Sequence, residues 1–421
     1  MTRPPRILHL SSLYPPHIVG GAERSVSMLA EAQVAAGWKV GAASITPGGI
    51  VEEERNGVRV FRMPHSNDFW LEDWLRHSQR QREWAKFKQM WNTGIERWFG
   101  AVIDRFRPDL INTHSLVDIS TRVWRAARNR DIPVVHTLRD FDLLCAASSM
   151  YRETGPCTHR HVKCRVLTFT KQFDQRIVKA VTAVGEGVLA RHLHYGFFGH
   201  IHPDLRRVIW NTASVEGIGA SYVKPPRVGP ITFGYLGRIS PEKGVDTLLD
   251  AVRLLPPAGW RLLIAGAALG ELAPYEKRAR DLPVEFIGFQ KPKALFDRID
   301  VLVVPSLWAE PLGRTVLEAY QAHVPVIGSR SGGIAEIVAD DEWLVPPGDV
   351  AVLAARMARV LIEGRPGSPA GRDRVVARTT PGAVAAEFAS LYAHVLGRSD
   401  LDQYAPLPVT TLRAVPNKTR A

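Results

Sequence analysis

Two successive sets of apolar, β-branched runs alternate with segments of helical periodicity along this chain, and that rhythm leaves few folds open. The first set comprises RILHLSS (6–12), WKVGAASI (38–45), VRVFRM (58–63), DLINTHS (109–115), PVVHTL (133–138) and AVTAVGE (180–186). The second comprises ITFGYLGRI (231–239), RLLIAGAA (261–268), VEFIGF (284–289), VLVVPS (301–306) and PVIGS (325–329). Apolar strands with helices between them require crossover connections, and the crossover helices cover both faces of a parallel sheet. A Pro/Gly-rich stretch, VKPPRVGP (223–230), separates the sets and puts a boundary near 212–229. The expected fold is α/β, with two doubly wound Rossmann-like domains facing a cleft, residues 1–215 and 216–380. A helical pattern over 381–398 can pack against either half, the N-terminal one included, and a Pro-spaced polar tail, 399–421, reads as disordered. Length agrees, because 421 residues exceed what one ordinary core organises.

Charge is uneven along the chain. Of the net +12, residues 1–215 hold 30 Lys+Arg against 20 Asp+Glu, whereas 216–421 hold 24 against 22. A basic N-terminal half suits an anionic partner, membrane lipid or nucleic acid, or serves solubility alone. An insertion at 69–99 breaks the α/β rhythm with Trp70, Trp74, Trp84, Trp91 and Trp98. The last three recur every seven residues beside Arg80, Arg82, Lys86 and Lys88, the make-up of an interfacial amphipathic helix or of a core or dimer contact. No apolar run reaches the roughly 18 residues that a membrane-spanning helix needs, and the N-terminus lacks a signal peptide's apolar core. Cys145, Cys157 and Cys164 are too few and too clustered for a secreted protein's disulfide framework. The expectation is a cytoplasmic protein with peripheral contact on the membrane's cytoplasmic face. With His159 and His161 the cysteines could make a zinc set arithmetically, but paired ligand spacing is missing.

Two segments of the second half carry chemistry. In SLWAEPLGRTVLEAYQAHVPVIGSRSGG (306–333), Glu310 lies at a strand's carboxyl end and Glu318 one turn inside the helix that follows. Ligands of open α/β sheets collect at that edge, and Leu312, Gly313 and Arg314 would offer N–H groups at a helix N-terminus to phosphate or sugar oxygens. The plainer alternative has Glu310 capping the helix and Glu318 solvated. In YLGRISPEKGVDTLLDAV (235–252), Arg238 and Lys243 flank an equivalent strand-to-helix turn, a forked guanidinium and an ammonium aimed where phosphates bind.

With GRISPEKGVDTLLDA, LLIAG, FIGF, VLVVPSLWAEPLGRTVLEA, PVIGSRSGGIAEIV and the VPPGD turn in order over 231–362, the second half resembles the retaining glycosyltransferases of family 4. Their architecture, called GT-B, is two Rossmann domains about a cleft. The resemblance implies that Arg238 and Lys243, with Gly313 and Arg314, hold the diphosphate of a UDP- or GDP-sugar. It implies that Glu310 contacts the sugar hydroxyls and Glu318 the ribose. The first half is similar through YPPHIVGGAERSVSMLAEAQVAAGWKV, PDLINTHS and PVVHTLRDF. There Gly20 and Gly21 would face the cleft, or merely form a helix-entry turn. His114 would stand at a strand end facing the cleft, beside the transferring sugar, and with Glu310 is the catalytic candidate. Where the family commonly has a histidine before Asp140, this chain has Arg139, so Asp140 is a base for the acceptor hydroxyl or an ion-pair partner of Arg139. Asn211 keeps part of the family's hinge turn.

The reaction so implied is retaining transfer of a sugar to a saccharide or lipid-linked acceptor in cell-surface polysaccharide or glycolipid synthesis. Cations and helix amides would stabilise the leaving diphosphate, no Asp-rich metal motif is present, and neither metal nor cofactor is expected. A nucleotide-sugar epimerase would share the fold. An NAD-dependent oxidoreductase disagrees with HIVGGAERS, which lacks GxGxxG, and a nucleic-acid-binding protein would carry a recognisable module that is not seen.

Overall fold

The computed structural model describes residues 3–404 apart from 71, 72, 74, 75, 153, 154, 220 and 269. Trp74 and the tail beyond Tyr404 lie outside the described residues. The N-terminal part opens with β1 (Arg6–Leu10), α1 (Gly21–Ala35), β2 (Lys39–Thr46), β3 (Val51–Arg55) and β4 (Val58–Pro64). The insertion follows as α2 (Gln79–Gln89) and α3 (Thr93–Phe106), then β5 (Leu110–Thr113), α4 (Arg122–Arg128) and β6 (Val134–Leu138). A two-residue hairpin, β7 (Tyr151–Arg152) and β8 (Gly155–Pro156), precedes α5 (Val162–Leu167) and α6 (Phe169–Asp174). The half closes with β9 (Ala180–Ala183), α7 (Glu186–His194) and β10 (Arg206–Val208).

The C-terminal part runs β11 (Ile231–Leu236), α8 (Val245–Val252), β12 (Trp260–Ala265), α9 (Ala273–Ala279), β13 (Val284–Phe286) and α10 (Pro292–Phe296). It continues through β14 (Val301–Val304), α11 (Arg314–Gln321), β15 (Val326–Ser329), α12 (Gly332–Ile337) and β16 (Leu344–Val345). Three helices finish the chain: α13 (Val350–Glu363), α14 (Arg372–Thr379) and α15 (Pro381–Leu396). One sheet has the order β10-β9-β6-β5-β1-β2-β4-β3 and the other β13-β12-β11-β14-β15-β16, giving the two doubly wound sheets that the strand rhythm predicts.

One edge departs from the all-parallel expectation, since β3 pairs antiparallel with β4. The cause is local: Asn56 and Gly57 take φ values of 50° and 78°, the left-handed pair a tight hairpin needs, so VEEER folds straight back as an exposed, charged edge. The last helix also has a local origin and a distant destination. Thr380 accepts a hydrogen bond from the Ala383 N–H at 3.2 Å, with Pro381 in the first turn, and starts α15. Val384, Phe388 and Tyr392 then bury themselves with Val26 and Leu29 of α1, and Asn112 donates to the Tyr392 hydroxyl at 2.6 Å. Ser399–Tyr404, expected to belong to the disordered tail, instead form a 3-10 segment in which Leu401 is fully buried.

The insertion is not one helix. Asn92 caps α3 by accepting the Ile95 N–H at 3.1 Å, and this break splits the seven-residue tryptophan repeat between two helices. Trp98 packs against the N-terminal core, while Trp84 and Trp91 stay 59% and 55% exposed.

Candidate active site

The C-terminal sheet reverses its winding between neighbouring strands β11 and β14, so the loops leaving them diverge and open a crevice at their carboxyl ends. Glycines let those loops approach each other. A Cβ on Gly266 would lie 1.8 Å from the Gly237 carbonyl oxygen, and one on Gly244, whose φ is +72°, would lie 1.9 Å from the Pro305 carbonyl oxygen. The Glu242 carbonyl accepts the Leu307 N–H at 2.9 Å, knitting the turn before α8 to the exit of β14.

That contact brings Lys243 and Glu310 together. Lys243 Nζ donates to Glu310 Oε1 at 2.7 Å, the Ser306 hydroxyl donates to the same oxygen at 2.7 Å, and the ammonium lies 5.1 Å from the Trp308 ring centre. Burial opposes the charge of Glu310, but Lys243, Ser306 and Trp308 outweigh it and hold the carboxyl below its ordinary range. Gly332 and Gly333 support this loop from beneath. The Gly333 N–H donates to the Glu310 carbonyl at 2.8 Å, and a Cβ on Gly332 would lie 2.3 Å from that carbonyl oxygen. Gly313, left-handed at φ +92°, starts α11 without a side-chain cap over the first-turn N–H groups. Arg238 is half exposed at the rim, 3.7 Å from Glu242.

Arg314 is placed otherwise than the sequence suggests. Its Nε donates to Glu318 Oε1 at 2.7 Å, and its Nη1 crosses to α1, donating to the Gly21 carbonyl at 3.1 Å and the Ser25 hydroxyl at 3.0 Å. The guanidinium assigned to diphosphate thus bridges the two halves, because four residues along a helix set it directly over Glu318. Gly21 makes room for this arginine, whose Cδ would be 2.7 Å from an added Cβ. Gly20 stays exposed and only starts α1, its N–H donating to Glu23 at 3.0 Å. A second bridge comes from Glu336 of α12, whose carboxylate accepts the N–H groups of Glu186 and Gly187 at 2.9 and 3.0 Å, at the start of α7.

His114 does not face an open cleft. It is fully buried, Arg139 Nε donates to its Nδ1 at 3.2 Å, and its Nε2 lies 2.9 Å from His9 Nδ1. His9 Nε2 in turn reaches Gln33 Oε1 at 2.7 Å, so the chain of donors is consistent with two neutral rings, each protonated at Nε2. Burial first, and then Arg139, push His114 well below its ordinary value. Arg139 also bonds Asn211 in the connection between the halves, and burial lowers it to about 10.

Asp140 is not the ion-pair partner of Arg139. Its Oδ2 accepts from the Ser115 hydroxyl at 2.6 Å and its Oδ1 from the Asp142 N–H at 2.8 Å, while burial and the Asp142 carboxylate raise it to about 6. Asp142 pairs with Lys171 at 2.6 Å. Cys145 and Cys164 lie 4.0 Å apart, sulfur to sulfur, and no three metal-ligating side chains converge among the described residues.

Sequence reasoning missed Ser306, Trp308, His9, Gln33 and Glu336 as members of these clusters. Ser306 and Trp308 stood inside the segment that carried Glu310 and could have been found by asking what balances a buried carboxylate. Glu336 offered no local signal, since its partners lie about 150 positions away.

Two family models match the chain: "Glycosyl transferase 4-like domain" over residues 20–203 and "Glycosyl transferases group 1" over 223–370. D-inositol 3-phosphate glycosyltransferase of Corynebacterium glutamicum is 32% identical over 326 residues, covering 70% of this chain and 74% of that one. An uncharacterised protein of the cps region of Klebsiella pneumoniae is 26% identical over 332 residues, 79% of this chain and 87% of that one. Among solved structures, Anabaena HepE in complex with UDP superposes with a TM-score of 0.64 at 18% identity, covering 92% of this chain and 100% of that one.

Proposed function

The chain belongs to the family 4 glycosyltransferases, and from that premise we propose that it moves a sugar, with retained anomeric configuration, from a nucleoside-diphosphate sugar to a saccharide or lipid-linked acceptor. The observation that carries this reading is the Lys243–Glu310–Ser306 cluster at the reversal point of the C-terminal sheet. Lys243, the rim residue Arg238 and the uncapped N–H groups after Gly313 meet the charge that builds on the departing diphosphate, the task a metal performs in other enzymes. Glu310, held anionic, accepts from sugar hydroxyls. Glu318, with one oxygen fixed by Arg314, presents its carboxylate to the ribose.

In the N-terminal half His114 acts as a positioning residue. The Gln33–His9–His114–Arg139 chain fixes the guanidinium of Arg139 beside Asn211, at the position where the family pattern commonly has a histidine. Asp140 faces the acceptor, and its raised carboxyl is suited to exchange a proton near neutrality. HepE's complex with UDP favours a uridine nucleotide over a guanosine one, and the relative from a cps region supports a role in surface polysaccharide assembly.

A thermal-shift panel of UDP-, GDP- and ADP-sugars tests the donor. One nucleotide class should raise the melting temperature by mass action, with chelator present or absent, and Glu310→Ala should lose sugar discrimination while keeping nucleotide binding. A protein that responds to none of them would sink the reading.

A further inference from the structure

Helices α2 and α6 are built inside out, and α5 adds two exposed valines. Lys86 of α2 and Lys171 of α6 point into the protein, each 8% exposed, and pair with Asp118 at 2.9 Å and Asp142 at 2.6 Å. On the outer side of α2 Trp84 and Phe87 lie three apart on one helical face and stack with ring centres 5.6 Å apart, and the exposed Trp91 follows in the turn after the helix. Val162 and Val166 lie four apart on α5, and Phe169 and Phe173 four apart on α6, the two phenylalanines still 56% and 53% exposed. A helix surrounded by water keeps its lysines out and its aromatics in. The Glu83–Lys163 ion pair ties α2 to α5, so the two apolar stripes lie side by side.

Cations border the stripes. Arg80 and Arg165 are exposed among them, Lys88 is exposed but paired with Asp68, and next to Phe173 opens a cleft of about 520 Å³ lined by Arg125, Arg128, Arg176 and Lys179. Its one carboxylate, Asp174, is already engaged by Arg125 at 2.8 Å and Thr121 at 2.7 Å. The cleft therefore carries an excess of positive charge beside exposed rings. Aromatic side chains with flanking cations are what the boundary of an anionic bilayer accepts, rings at the level of the head groups and cations on the phosphates.

We infer that the face formed by α2, α5 and α6 docks the protein on bilayers that contain anionic phospholipid. The inner sides of the same helices line the polar recess that holds Asp142, two residues from Asp140. Docking by the outer face thus sets the acceptor side of the cleft against the membrane. This deepens the acceptor assignment made above and rests on that reading only for the chemistry of the acceptor.

Co-sedimentation of the full chain with vesicles of phosphatidylcholine alone, or mixed with phosphatidylglycerol, tests it. The protein should bind the mixed vesicles and lose that binding in high salt. Trp84→Ser with Phe87→Ser, and separately Phe169→Ser with Phe173→Ser, should each weaken partitioning by about tenfold or more, and Arg128→Glu with Arg176→Glu should remove the preference for phosphatidylglycerol. The UDP-sugar thermal shift should be the same in all three variants. It certifies their folding, and its loss in one leaves the other pair to carry the test. The proposal is overturned if no vesicle binds the unaltered protein or if both apolar variants partition as it does. It is equally overturned if light scattering shows a dimer that these substitutions dissolve, which would make the face a contact between copies. Vesicle binding without any nucleotide response would instead leave the membrane face standing and remove the donor reading.

Discussion

A single partly buried oxygen, Glu310 Oε1, holds both Lys243 and Ser306, and most of what the donor side can do depends on it. Replacing Glu310 by Ala leaves the Lys243 ammonium without its counter-charge and removes an acceptor for sugar hydroxyls. The expected outcome is a fall in kcat/KM of about a hundredfold or more in a donor-turnover assay. Asp140 allows a signed prediction about pH. Its folded value of about 6 lies above that of an unfolded aspartate, so the folded state binds the proton more tightly. The stability this provides is complete below about pH 4 and is lost as pH rises through about 6. Asp140→Asn, which keeps the contacts with Ser115 and the Asp142 N–H within reach, should be more stable than the parent by about 1 kcal/mol at pH 8. The difference should vanish near pH 4, as read by melting temperature across that range. The residue pairings themselves were only partly legible. From sequence alone Lys243 and Glu310 stood on equivalent strand ends of one domain, but His114 was assigned an open cleft and Arg314 a phosphate, because no local pattern shows which neighbour from another element will take a side chain's polar atoms.

Elements announce themselves through turns and caps. Gly332 opens α12 at φ +52° with the Glu310 carbonyl where a Cβ would go, so Gly332→Ala combines backbone strain with a steric conflict against main chain. A loss of about 2 kcal/mol or more is expected, seen as a melting temperature several degrees lower, with donor affinity falling in parallel. The strand runs of the sequence all became strands, since β-branched apolar segments bounded by glycine and proline have few other options. Among the strands that escaped were short edges: the Asn56-Gly57 hairpin strand β3, the three-residue β10 and the two-residue β16. Such pieces are recruited by an existing sheet and carry too few residues for a period of their own. The tryptophan repeat failed for the opposite reason, because a periodic signal continued across the Asn92 cap that divides α2 from α3.

At the scale of the whole molecule, contacts between the halves decide the shape of the cleft. Glu336 caps α7 from the other half, and Arg314 reaches α1. Glu336→Ala removes the first of these without touching the Glu310 cluster. Its expected outcome is a larger radius of gyration in solution scattering of the ligand-free protein, with a raised donor KM and an almost unchanged kcat. The long return of α15 is just as consequential. A chain ending at Thr380 would expose the core faces that Phe388 and Tyr392 cover, and is expected to be recovered aggregated rather than folded. By itself the sequence determined the α/β class, the doubly wound sheets and the family, because strand periodicity, turn chemistry and the ordered motifs of 231–362 are all properties of short stretches. Only the tertiary structure decided which charges neutralise which, that His114 lies buried behind Arg139, and that α2 and α6 each turn a lysine inward and aromatics outward. Those outcomes depend on desolvation and on partners tens to hundreds of residues away, quantities that exist only once the chain has packed.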